Sequence, residues 1–301
     1  MKKAFLFGLA ITLLFVSTRV EGSEKMHYTN EKGGALTKEQ YDYITKYISE
    51  DDLHIFNDKE MRYLLENVAI DGVELEEKYI KSTVESGVVE EEYIDAEKME
   101  QWNYGQNRPI ESLANSRVAT FSYEEREDEV ITEMKQISMK MYQVGPSVKK
   151  VYLVCTWLSL PKYRSFDVIG MRVGSKAVML NTFTSENFSA TQYYDDKSCS
   201  YSYSGSNLKK CDKGFGVSMN LSDTAKTSLK MEVYANFGTA ADGFTVYGSY
   251  QHATDDITLN KSHKYSISSS GMGGVFKFNW LVKDSYDNTP GLSVKGSFDG
   301  L

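Results

Sequence analysis

From residue 129 onward the chain is a succession of short segments rich in β-branched and aromatic residues, separated by clusters of Gly, Asn, Asp and Ser. The segments fall at 129–143, 148–159, 165–173, 177–184, 190–203, 211–220, 228–237, 244–252, 263–269, 274–283 and 291–298. Such spacing predicts strands joined by turns, and helical periodicity is weak throughout. Phe244, Val246 and Tyr250 share one face of their segment, which suits a half-buried antiparallel strand. Val151–Leu158 is apolar on both faces, so it belongs in a central strand or between two packed layers. The expected fold is mainly β: an antiparallel β-sandwich, jelly-roll-like, preceded by a small helical N-terminal segment. The 21 Tyr agree with that class.

The helical segment is read from three helix starts within residues 36–67. Each has an apolar residue, a capping side chain, an acid or amide three positions later, and then another apolar residue. The sets are Leu36-Thr37 with Gln40-Tyr41, Ile48-Ser49 with Asp52-Leu53, and Phe56-Asn57 with Glu60-Met61. Tyr41, Ile44 and Ile48 then share a helix face, as do Met61, Leu64 and Leu65. A piece this small has little core of its own, so it must pack on the rest of the chain or on a partner.

Lys2 and Lys3 precede an uncharged apolar run, Ala4–Val16, and Gly22 is a small residue suited to cleavage. This is the layout of a secretory signal peptide. The run covers only about 20 Å as a helix, against roughly 30 Å of hydrocarbon. No stable transmembrane segment is expected after cleavage. The expected organisation is a signal peptide over 1–22, a small helical segment over 23–70, an acidic linker or edge-strand region over 71–128, and an all-β sandwich domain over 129–301. Within the linker region, 78–84 could pair as an edge strand. The expected location is secreted, extracellular or in the cell envelope. Cys199 and Cys211 flank a Gly205-centred turn, and a hairpin there would set the two thiols across from each other as a disulfide. Cys155, in its apolar run, reads as a buried, inert thiol.

The net charge of −8 excludes a broad nucleic-acid footprint. The acidic excess lies before residue 150, in runs such as Glu90–Glu92 and Glu124–Glu129, which read as a solvated face.

Leu36–Tyr41 and Phe56–Met61 resemble the short helical openings of uncharacterised exported proteins of Gram-positive bacteria. Tyr247–Ala253, Tyr265–Ser268 and Val282–Asp287 resemble the β-rich C-terminal regions of similar proteins. The resemblance implies bacterial export and a helix-then-β layout, and it assigns no activity.

The catalytic motifs with a local signature are absent: no Gly-x-Ser-x-Gly elbow, no His-Glu-x-x-His helix, no phosphate-binding loop. Of the four His, His252 is in phase with Tyr250 and Val246 and reads as a satisfied strand residue. His263 reads as loop or strand edge. No cofactor is expected. Calcium is the metal with some support, from oxygen-rich turns at Asp195-Asp196, Asp255-Asp256 and above all Asp284, Asp287 and Asn288, although Asp and Asn are also ordinary turn residues. Trp157 reads as core and Trp280 as core or edge.

The candidate ligand-binding residues are Tyr193, Tyr194, Tyr201 and Tyr203, whose rings could stack on sugars or anchor a protein. The functional expectation is an exported, non-catalytic binding or surface-interaction module for an envelope polysaccharide or another protein. A secreted hydrolase is the alternative, and a pore-forming β-toxin comes third. The ligand, the oligomeric state and the docking of the N-terminal segment are not legible in the residues.

Overall fold

The computed structural model describes residues 25–71, 73–85, 88–94, 131–174, 183–238, 244–268, 274–289 and 291–296. The signal-peptide expectation and Trp102 lie outside them. The N-terminal piece opens with a two-stranded ribbon, β1 (Tyr28–Thr29) and β2 (Ala35–Leu36). It continues through helix α1 (Lys38–Ile44), a 3-10 turn (Glu50–Ile55) and helix α2 (Asp58–Asp71).

Thr37 caps α1 reciprocally with Gln40. Asn57 and Glu60 exchange the same pair of bonds at the start of α2, each at 3.0 Å. These satisfy orphan N–H groups of the first turns. The middle start differs. Ser49 makes no side-chain cap, and Asp52 turns away to bond Lys140 and Tyr142 across the fold.

Two antiparallel sheets form the body. One has seven strands: β3 (Val73–Glu85), β4 (Val88–Ile94), β5 (Ile131–Gly145), β6 (Val148–Trp157), β8 (Phe188–Tyr194), β9 (Lys197–Ser200) and β12 (Leu229–Gly238). Their order is β4-β3-β5-β6-β12-β8-β9. The other has five: β7 (Phe166–Val173), β10 (Leu208–Cys211), β11 (Gly214–Asn220), β13 (Phe244–Gln251) and β16 (Leu292–Gly296), in the order β10-β11-β7-β13-β16. The chain passes repeatedly from one sheet to the other, as a sandwich requires. Residues 78–84 lie inside β3, which pairs with both β4 and β5, so β4 is the edge.

Alternation assigns the faces. Ile137, Met139, Val151, Leu153, Trp157, Met231 and Val233 point inward from the seven-stranded sheet. They meet Ile169, Met171, Phe215, Val217, Val246 and Tyr250. Gly248 lets the sheets close: a Cβ there would stand 2.9 Å from the Met139 sulfur.

Each sheet is also covered on its outer side. Leu53, Phe56, Met61, Leu64 and Val68 of the N-terminal piece pack on Tyr142, Tyr152, Val154 and Tyr234. That cover explains why β6 is apolar on both faces. The five-stranded sheet carries a short helix, α3 (Leu259–Ser262), and a ribbon, β14 (Tyr265–Ile267) with β15 (Phe276–Phe278). Tyr265 and Phe276 rest where Gly216 offers no side chain.

The expected Cys199–Cys211 bridge does not form; all three cysteines are free. Cys199 lies in β9 at the edge of one sheet and Cys211 in β10 at the edge of the other. The intervening residues cross between layers instead of closing a hairpin. Cys155 is buried, and desolvation pushes its thiol well above the usual range. Trp157 is core, whereas Trp280 is 75% exposed, beside an exposed Leu281.

Candidate functional site

The N-terminal piece covers only part of the outer face of the seven-stranded sheet. The uncovered part is the floor of an open groove of about 850 Å³. Its floor comes from outward positions of five strands, among them Ser138 on β5, Thr156 on β6, Glu232 on β12, Ser189 on β8 and Ser200 on β9. Residues 28–32 and 49–54 form one wall. The lining is rich in hydroxyls, since an outward strand position on a half-covered sheet takes polar residues.

Glu232 organises the centre. One carboxylate oxygen is 2.9 Å from His54 Nε2. The other accepts from the Tyr152 hydroxyl at 2.5 Å and faces Lys230 Nζ at 3.0 Å. His54 Nδ1 sits 2.6 Å from the Asp51 carbonyl, which fixes the ring. Burial works to raise the Glu232 carboxyl, but the bond to His54, the Lys230 charge and the Tyr152 hydroxyl outweigh it and hold it at about 2. A second carboxylate, Asp52, accepts from Lys140 and the Tyr142 hydroxyl, both at 2.6 Å. At the far end Asp195, with φ of 52°, accepts from the backbone N–H groups of Lys226, Thr227 and Ser228. Those bonds hold its carboxyl at about 2 and tie the β8–β9 turn to the loop before β12.

The four tyrosines singled out in the sequence are not gathered in one place. Tyr193 lines the groove, with Lys230 Nζ 4.5 Å above its ring and His54 edge-on at 6.5 Å. Tyr194 and Tyr201 are partly buried and pack against the core between the sheets. Tyr203 is in the turn after β9, 39% exposed. The groove's other central ring, Tyr234, has Lys32 and Lys150 over it, at 4.9 and 4.4 Å. Sequence reasoning passed over His54, Tyr152, Lys230 and Glu232. Their only signal is the outward phase of the strand residues, since His54 meets Glu232 across 178 positions of chain.

The calcium candidates do not converge. Asp287 is buried, its oxygens bonded to Lys135 and to the backbone N–H of His252, while Asp284 is exposed beside Lys283. Among the described residues no group of three or more His, Cys, Asp or Glu is placed to hold a metal ion. His252 is a buried residue whose Nδ1 meets Asp167 at 3.0 Å. Burial works to lower its imidazole, but the Asp167 charge wins and raises it.

No family model matches the chain, and no curated protein matches it. Among solved structures, the chain is similar to the collagen-binding domain of a Staphylococcus aureus adhesin, at 7% identity and a TM-score of 0.30, over 52% of this chain and 93% of that one. It is also similar to the collagen-binding domain of the Erysipelothrix rhusiopathiae surface protein RspB, at 8% identity and a TM-score of 0.26, over 55% of this chain and 65% of that one. Both likenesses are to domains of Gram-positive surface proteins. The architecture of this chain is a mainly β, two-sheet antiparallel sandwich with few helices. Among the described residues no helix is long and apolar enough to cross a membrane.

Proposed function

We propose that the protein is an exported, non-catalytic surface-interaction module that holds an extended polypeptide of a protein partner in the groove on its seven-stranded sheet. The observation that carries this reading is the lining: an open trench across five strands, floored by hydroxyls, in which Glu232 is already paired with His54 and Lys230, and Asp52 with Lys140. Hydroxyls and paired charges offer donors and acceptors to a polar main chain without leaving an unmatched charge behind. A sugar ring would want a bare aromatic face. Lys230 stands over Tyr193, and Lys32 and Lys150 over Tyr234. A hydrolase built on a carboxyl pair would want one carboxyl kept protonated beside an ionised one, and Glu232 is held low instead. Among the four tyrosines expected to bind, Tyr193 is the one that lines the groove.

The test is a binding panel of extracellular proteins, collagen included, set beside a glycan array. The wild type is expected to bind a protein and not a glycan. Ser189→Arg and Thr156→Arg, which fill the groove from its floor, are expected to weaken that binding at least about tenfold, equivalent to about 1.4 kcal/mol. Glycan binding with no protein binding would overturn the reading. So would a protein bound equally well by both groove-filling variants.

A further inference from the structure

On the opposite face of the same sheet, the space between the two sheets holds a charged cluster that the groove does not use. Lys135 on β5 is fully buried, and its Nζ touches Asp287 Oδ2 and lies 3.4 Å from Glu91 Oε1 on β4. Asp287 is buried too, in the loop before β16. The rings of Trp157 and Tyr250 stand 5.4 and 5.7 Å from the amine. The other Asp287 oxygen accepts the backbone N–H of His252 at 3.0 Å. Glu91 is itself steadied by the Thr289 hydroxyl at 2.9 Å.

We propose that Lys135 and Asp287 condense into an intramolecular amide bond, with Glu91 as the proton shuttle. An ion pair in a dry interior is costly to desolvate, whereas the amide is neutral. Held in contact, an amine and a carboxyl reach effective molarities of the order of 10⁵–10⁸ M. The pair begins as ammonium and carboxylate, and a proton passes from Nζ to Oδ2. Nζ then attacks Cγ, which the His252 N–H polarises through Oδ1. Glu91 takes a second proton from Nζ and delivers it to Oδ2. The Cγ–Oδ2 bond breaks and that oxygen leaves as water, so the N–C bond is made with no other reactant and Glu91 is restored. Burial, with the charge of Asp287 added, pushes the Glu91 carboxyl up, which suits it to carry a proton in this site.

Lys150 and Glu60 serve as an internal comparison. They too are buried and lie 2.7 Å apart, but the other bond of that amine goes to the Ile55 carbonyl and not to a second carboxylate. That pair is expected to stay ionic.

The experiment is a tryptic map of the denatured wild-type protein by mass spectrometry. The expected result is a branched peptide joining 127–140 to 284–295, lighter by one water than their sum and uncut at Lys135. Asp287→Asn should give the same branched mass, with ammonia leaving in place of water. Glu91→Gln, checked for folding by circular dichroism, should give the linear peptides. A linear map with cleavage after Lys135 from folded wild-type protein overturns the bond. A branched map from Glu91→Gln overturns the part given to Glu91.

Discussion

Glu232 shows how one side chain can set the character of a surface. Its carboxyl falls from an ordinary 4.5 to about 2. The stabilisation tied to that depressed value is fully present above pH 4.5 and is lost as the pH falls through about 2. A shift of this size corresponds to roughly 3 kcal/mol. Glu232→Gln is therefore expected to be less stable than wild type at pH 7 by up to about that amount, with the gap narrowing toward pH 3. Urea unfolding at both values checks this, and parallel losses at both would contradict it. None of this was legible beforehand, because Tyr152 and His54 reach Glu232 from positions 80 and 178 residues away. Asp287 misled for a related reason. It looks like a turn oxygen free to bind calcium, and only the folded chain shows Lys135 against it.

Among the elements, legibility tracks how local the governing interaction is. The caps at Thr37 and Asn57 are closed by residues three positions on, and both were readable. Asp52 fits the same pattern but is taken by Lys140 and Tyr142, so the middle start became a 3-10 turn. The strand spacing was readable because alternation is local. The placing of Cys199 and Cys211 in different sheets was not. The N-terminal piece docks through Lys150 as well as through apolar contact. That amine is buried, and desolvation lowers it to about 8 even beside Glu60. Lys150→Ala would strand the Glu60 charge at the interface, for a loss of about 3–5 kcal/mol. Urea unfolding should show the loss, and limited proteolysis should show earlier cuts in residues 36–67. An unchanged midpoint would mean that the apolar contacts alone hold the piece.

For the whole molecule, four layers divide the work. The two sheets and their shared core give rigidity, and the β14–β15 ribbon closes one outer face. The helical piece closes part of the other and leaves the trench beside itself. The two inferences lie on opposite sides of one sheet and can fail separately: an absent Lys135–Asp287 bond would leave the groove intact. The docking claim is tested most directly by hydrogen–deuterium exchange of the full chain with and without the protein selected on the binding panel. Slower exchange at 28–32, 49–54 and 195–198, the walls and far end of the trench, is the expected result. Protection confined to Trp280 and Leu281 or to the turn at Tyr203, with those segments unchanged, would contradict it.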